Sequence, residues 1–361
     1  MEVNTQSFIT GQIIDNKLFY SSSRYNGLFS YDLITGKVSF INSFNGYPIN
    51  VKGLHSCSCI WNNKIVFLPL NGKDIHIFDV ESKEITSINI SESNYIASSA
   101  KNIYIKDSNM WVIPRYLKGY TNNSKILCVD LTSYKVVEQL DINKRLESYA
   151  EPDGTILILQ NEVYDNKIWI PICRTNNLVS INPETKELTV HSMENMNLYS
   201  ITSTIDGIWV SDLYLGKAKK YNGSNFIGDI NLNYAEIISS VIETKEYCVA
   251  LLRNQNRVVL ISKQSGESKR YILSSSLIGN GTLRECSLLF SKWKEIYVVF
   301  PNYRNTLFEI IDNNDYEEVK IEECKDLNIL IDDFNQKEPI LEGDIGLGCY
   351  IKLLVKDKHE R

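Results

Sequence analysis

One turn is rewritten seven times along this chain, and the spacing of its copies restricts the fold more than any other feature. Each copy follows an apolar run and opens on a short polar residue: Asp32, Asp79, Asp130, Asn182, Asn222, Ser262 and Asp312. Such a side chain can accept a hydrogen bond from a backbone N–H two residues on, which fixes a tight turn. The steps between copies are 47, 51, 52, 40, 40 and 50 residues. The clearest unit runs from Tyr164 to Val190. A polar turn (Asp165, Asn166, Lys167) leads into the apolar run Ile168–Ile172. A loop with Arg174, a second run (Leu178–Ile181), the turn Asn182–Lys186 and a third run follow. Short strands joined by polar turns are what this pattern forms.

A period of 40 to 52 residues with about four strand-like runs per unit is the signature of a β-propeller. The sequence therefore predicts an all-β chain, a seven-bladed β-propeller with four antiparallel strands per blade; six or eight blades are the alternatives. Blades are expected at 7–42, 54–90, 99–140, 155–191, 200–232, 237–273 and 285–322, together one domain over 1–323. One blade cannot bury both of its faces, so the repeats should fold as one cooperative unit. Small residues recur where innermost strands would crowd: Ser56 and Ser58, Ser98 and Ser99, Ser200 and Ser203, Ser239 and Ser240, and Ser287. Residues 324–361 fall outside the repeat and are expected to close the ring.

Composition narrows the functional classes. The chain of 361 residues is 43% hydrophobic and 23% charged, the balance of a globular protein. A formal net charge of −6 argues against general nucleic-acid binding. No apolar run is long enough to span a bilayer, and the first residues carry no basic or apolar signal pattern. Most of the eight cysteines sit inside apolar strand runs, such as Cys128 and Cys248, and read as buried thiols of a cytoplasmic protein.

The runs Asp-Asn-Lys-Ile-Trp-Ile-Pro (165–171) and Leu-Val-Ser-Ile-Asn-Pro-Glu-Thr-Lys-Glu-Leu (178–188) resemble the repeats of Kelch-like and NHL-like bacterial propellers. They are also similar to blades of the streptogramin lyase family, a resemblance that covers residues 7 to 322. It implies architecture. No Gly-Gly pair of the Kelch type and no Trp-Asp of the WD40 type is present. The lyase family implies a metal-assisted site built from His and Glu in late blades. The four histidines here are 55, 76, 191 and 359, none in the fifth to seventh repeats, so that activity is not carried over.

Candidate ligand-binding residues come from two sets of loops expected on one face. Loops between second and third strands carry Arg24, Lys73, Arg115, Arg174, Lys217, Arg253 and Arg304. Arginine holds carboxylates or phosphates through two parallel hydrogen bonds. Loops between blades carry Phe8, Tyr47, Tyr95, Tyr149, Tyr199 and Tyr234, rings that suit peptides or sugars. Tyr-Ala-Glu occurs twice, ending at Glu151 and Glu236, and Glu285 follows in the next such loop. These carboxylates are the catalytic candidates, as acid and base, with salt partners for the arginines as the plainer reading. His55, Cys57 and Cys59 suggest a metal site, but residues two apart on a strand lie about 6.6 Å from each other and converge poorly on one ion. No phosphate loop, dinucleotide fingerprint or nucleophile elbow occurs, and no cofactor is expected.

The expectation is a non-catalytic binding module for a peptide, partner protein or anionic glycan, without nucleic-acid or membrane partners. The alternative is a lyase or hydrolase acting on a sugar or modified peptide.

Overall fold

The computed structural model describes residues 8–22, 26–48, 51, 53–90, 95–100, 102–119, 124–232, 236–243, 247–253, 257–272, 288–293, 296–301, 306–311 and 316–320. They are almost entirely β, with one short helix, Asn143–Leu146, and the 3-10 turn Glu147–Tyr149. No helix among them is long and apolar enough to cross a membrane.

The strands form consecutive antiparallel meanders, each paired in chain order. The first sheet is Phe8–Ile14, Lys17–Ser22, Leu28–Asp32 and Val38–Asn42. The second is His55–Trp61, Lys64–Pro69, Asp74–Asp79 and Ile85–Asn89. The third is Ile105–Lys106, Asn109–Val112, Ile126–Asp130 and Lys135–Leu140. The fourth has Gln160–Tyr164, Lys167–Pro171, Asn177–Ile181 and Leu188–Ser192. Ser99–Ala100, expected as the inner strand of the third repeat, instead pairs in parallel with Gln160–Asn161 and makes the fourth sheet five-stranded. The fifth sheet is Leu198–Ser203, Ile208–Asp212, Lys217–Tyr221 and Phe226–Asn231, and the sixth is Ile238–Glu243, Tyr247–Leu252, Arg257–Ser262 and Ser268–Ile272. A seventh runs through Leu288–Trp293, Ile296–Pro301, Thr306–Ile311 and Tyr316–Lys320. By internal contacts the chain divides into one unit of residues 1–87 with 289–361 and another of residues 88–288.

Both kinds of turn follow from side-chain chemistry. First-to-second strand hairpins close on Asp15–Asn16, Asn62–Asn63 and Asp165–Asn166. Positive φ at Asp15, Asn62, Asn63, Asp165 and Asn166 is the conformation that lets a two-residue loop match the strand twist, and Asn and Asp tolerate it. The repeated turn works as expected: Asp32, Asp79, Asp130, Asn182, Asn222 and Ser262 each accept from the N–H groups two and three residues on. Four positions beyond Asp32 and Ser262 stands a glycine at positive φ, Gly36 and Gly266; Lys83, Tyr134 and Lys186 hold the equivalent place with φ of 64°, 57° and 61°.

Within the larger unit, second strands are buried on both faces. Ile168 and Ile170 pack with Trp111 and Cys128 of the third sheet, while Trp169 between them packs with Ile201 and Val210 of the fifth. Trp209 repeats this arrangement toward Val241 and Val259 of the sixth sheet. In the other unit, Phe19, Leu28, Ile65, Phe67 and Phe78 join the first and second sheets.

That joint also encloses a polar chain. Ser21 Oγ lies 2.8 Å from His55 Nδ1, and His55 Nε2 lies 2.9 Å from His76 Nδ1; all three residues are fully buried. Phe44, Phe67 and Tyr47 pack their rings around the pair. Burial holds both imidazoles neutral. It moves His76 from 6.5 to about 4 against the pull of Asp74 and the Asn45 backbone, and moves His55 well below its ordinary value.

Two predictions follow from these details. Unfolded histidines bind protons near pH 6.5 while His76 in the fold resists until about pH 4, so stability is full above 6.5 and falls on acidification. The slope is about 1.4 kcal/mol per pH unit for each such imidazole, and a His55→Phe, His76→Phe variant should flatten the pH dependence of the urea midpoint. Tyr134→Gly should raise stability by up to about 1 kcal/mol, because it removes a left-handed non-glycine residue at an exposed turn. Lys186→Gly should gain less, since Lys186 also pairs with Glu138 at 2.9 Å and sits 3.8 Å over the Trp111 ring.

Candidate binding site

A recurrent backbone tie sets the frame for the site. An N–H shortly past the second strand donates back to a carbonyl ahead of the first: directly at the strand ends for Leu70 to Leu54, Leu213 to Asn197 and Arg253 to Ile237, and further from them for Cys173 to Leu157 and Arg115 to Ile96, at 2.6 to 2.9 Å. The basic residues stand at different distances from these ties. Arg115 and Arg253 each donate such a tie, Arg174 directly follows the donor Cys173, Lys73 stands further along its loop, and Lys217 is the first residue of its third strand. Arg24 and Arg304 lie outside the described residues.

In the unit of residues 88–288, several of these side chains converge. Glu151 sits in a turn after the short helix, its N–H bonded to the Thr155 carbonyl at 2.8 Å and its own carbonyl accepting from Gly154 at 2.8 Å. Its side chain is buried, and Oε2 lies 3.3 Å from Nη1 of Arg174, whose side chain is 56% exposed. That carboxylate raises the Arg174 pKa further, so the guanidinium stays charged. The Arg174 N–H is anchored on the Leu198 carbonyl at 2.9 Å, which joins the loop to the next sheet. Tyr199, the following residue, carries the Arg253 guanidinium 5.0 Å from its ring centroid, a cation–π contact.

Cys173 lies at the base of the group. Burial pushes its thiol from 9.0 up to about 11, with Arg174 and Arg253 opposing the rise and Glu151 adding to it. All three charged groups therefore act on one sulfur. Tyr214, near enough to Arg174 to act on its charge, and its neighbour Leu215 are exposed and held by an Asp212 turn whose Oδ1 accepts from both N–H groups at 2.7 and 2.8 Å. Sequence reasoning missed Cys173, Tyr214 and Leu215. The signal available for the last two was Asp212, placed to form the same kind of turn. On the other side, the Arg115 carbonyl accepts from Ile158 N at 2.7 Å, beside the Leu157 carbonyl that holds Cys173. Among the described residues, the buried polar atoms without a hydrogen-bond partner include Glu151 Oε1, Arg253 Nε and, from the neighbouring loop, Arg115 Nε, and elsewhere Ser43 Oγ, His76 Nε2 and Asn143 Oδ1.

The carboxylate and aromatic candidates separate on inspection. Glu236 is buried and directly precedes the tie carbonyl of Ile237, whereas Glu151 stands six residues ahead of Leu157, so the two Tyr-Ala-Glu copies hold different places in the repeat. Glu285 and Tyr234 lie outside the described residues. Tyr95 is fully buried, and its hydroxyl donates to the carbonyls of Val112 and Lys125, so it supports the frame. Tyr47 donates to Asp74 at 2.7 Å in the other unit; burial, followed by this carboxylate, pushes its phenol up to about 12. Tyr149 is half-buried against the core of the third and fourth sheets.

His55 is committed to Ser21 and His76, and burial raises the thiol pKa of Cys59, with Cys57 close enough to contribute. Among the described residues, no three His, Cys, Asp or Glu side chains come together as a metal site. The five described cysteines, 57, 59, 128, 173 and 248, are free thiols, and all but Cys248 are buried.

Comparison with known proteins agrees with the architecture. No protein-family model matches the sequence, and no curated protein matches it. Among solved structures, a catalytically inactive virginiamycin B lyase from Staphylococcus aureus with quinupristin is similar at a TM-score of 0.62 and 11% identity, over 84% of this chain and 94% of that one. A streptogramin B lyase gives 0.60 and 12%, over 88% and 94%. The extracellular domain of the one-component system BT4673 from B. thetaiotaomicron gives 0.57 and 13%, over 85% of this chain and 41% of that one. The shared feature is the β-propeller fold. These neighbours do not single out the Kelch or NHL type.

The electrostatics of the cluster give a direct check. Glu151→Gln should lower the pH at which Cys173 begins to be alkylated, and Arg174→Gln should raise it, read by peptide mapping across a pH series. Coincident profiles would show that the three groups do not act on one another.

Proposed function

We propose that the chain is a β-propeller binding module, with seven blades matching its seven repeats. Its recognition surface is the cluster of Arg115, Glu151, Arg174, Tyr199, Tyr214 and Arg253. The observation that carries this reading is the set of buried, unpartnered polar atoms at Glu151, Arg115 and Arg253. Buried polar groups without partners cost about 1–3 kcal/mol each, and a ligand that supplies the missing partners recovers that cost. Arg and Tyr are also the residues that most often dominate binding energy at interfaces. The free thiols support a reducing compartment.

A lyase or hydrolase reading keeps Glu151 as its acid or base, and the lyases among the structural neighbours favour looking for one. The two readings differ in what Glu151→Gln does: loss of turnover with binding retained marks an enzyme. For the module, an Arg174→Glu, Arg253→Glu variant should lose association by at least about tenfold while keeping its unfolding midpoint, and wild-type association should weaken as salt rises. Association measured by titration calorimetry that is indifferent to both would remove the proposal.

A further inference from the structure

We infer, resting on the binding reading above, that the group recognised at this cluster is the main chain of a peptide: an N–H for Glu151 and a neighbouring carbonyl for the arginines. The argument begins with what the site lacks. Glu151 is 8% exposed, and only Oε2 is engaged, by Arg174. Its Oε1 needs a donor, because a carboxylate oxygen held out of water without one is costly. Nε of Arg115 and Nε of Arg253 need acceptors. The complement is a ligand offering donors and acceptors side by side.

That demand discriminates between ligand classes. A sulfate brings only acceptors, and a phosphate brings its O–H together with a negative charge that the fixed Glu151 carboxylate repels, so neither offers a neutral donor beside an acceptor. Sugars bring both donor and acceptor but bind best on an open aromatic face. Arg253 covers Tyr199, which is 5% exposed, and Tyr95 is fully buried, so of these rings Tyr214 alone stays open, a single ring where a sugar would need a broader face. A peptide unit carries an N–H and a C=O in fixed alternation, and an apolar side chain beside it meets Tyr214 and Leu215, which are 55% and 44% exposed. The nearby sheets leave the site on loops held by backbone ties, so it is shaped before the ligand arrives.

The test uses the full chain and a pool of capped pentapeptides with a central phenylalanine, acetylated and amidated so that no terminal charge is present. Inorganic phosphate and an acidic oligosaccharide are run in parallel, and retention is read by ultrafiltration and mass spectrometry. The strongest retained peptide is then remade with each amide N-methylated in turn. We expect one N-methylation to cost about tenfold or more in affinity, the same loss in Glu151→Leu and Arg253→Ala, and partial recovery in Glu151→Gln, which keeps an acceptor oxygen. Unfolding midpoints near wild type establish that the variants are folded. If every N-methylated peptide binds as well as its parent, side chains carry recognition and the inference is wrong. Retention of phosphate or oligosaccharide in place of peptides overturns the inference and leaves the binding reading standing. If none of the three probes is retained in a way that Arg174→Glu abolishes, the binding reading falls with it.

Discussion

Burial of a sheet on both faces is the constraint on which this structure depends. A four-stranded meander of five-residue strands has too little surface to stabilise itself, and its second strand must find apolar partners on two sides. The fourth sheet shows how this is met: Ile168 and Ile170 serve the third sheet and Trp169 serves the fifth. Alternation along one strand thus links three sheets, and cutting back Trp169 would loosen the packing on the side it serves. The two-residue and five-residue turns add little core of their own, but they set strand direction and register, without which that alternation would face the wrong way.

The site follows from the same frame. Each backbone tie links the chain leaving a second strand to the chain approaching a first strand, and so fixes one donor position. Arg115, Cys173, Leu213 and Arg253 occupy it in turn. Comparable ties therefore carry different chemistry, and neighbours outside them complete the cluster: Glu151 from the turn after the helix, and Arg174 one step beyond the tie. Repetition supplies the scaffold; departures from repetition supply the chemistry.

Two polar groupings in the described residues differ in their exposure. The Ser21–His55–His76 chain is enclosed by Phe44 and Phe67 within a core joint and holds its imidazoles neutral, with only His76 Nε2 of its ring nitrogens left without a partner. The Glu151–Arg174 pair sits where one partner is buried and the other half in water, and buried donors and acceptors beside it stay unmatched.

Much of the fold was legible because its signals are local. Asp32, Asp79, Asp130, Asn182, Asn222 and Ser262 form their turns through side-chain bonds two and three residues along the chain, a reach that sequence alone displays. The candidate site was legible only in part. Arg115, Arg174, Arg253, Tyr199 and Glu151 are present in it, but Tyr95 went to the frame, the two Tyr-Ala-Glu copies went to different places, and Tyr214 and Cys173 were unforeseen. Residue types and loop positions were determined by the sequence; which of them meet was decided by the tertiary structure. Contacts such as Arg253 on Tyr199 join residues more than fifty positions apart, and they depend on how far each loop runs past its backbone tie, a distance that no local pattern encodes.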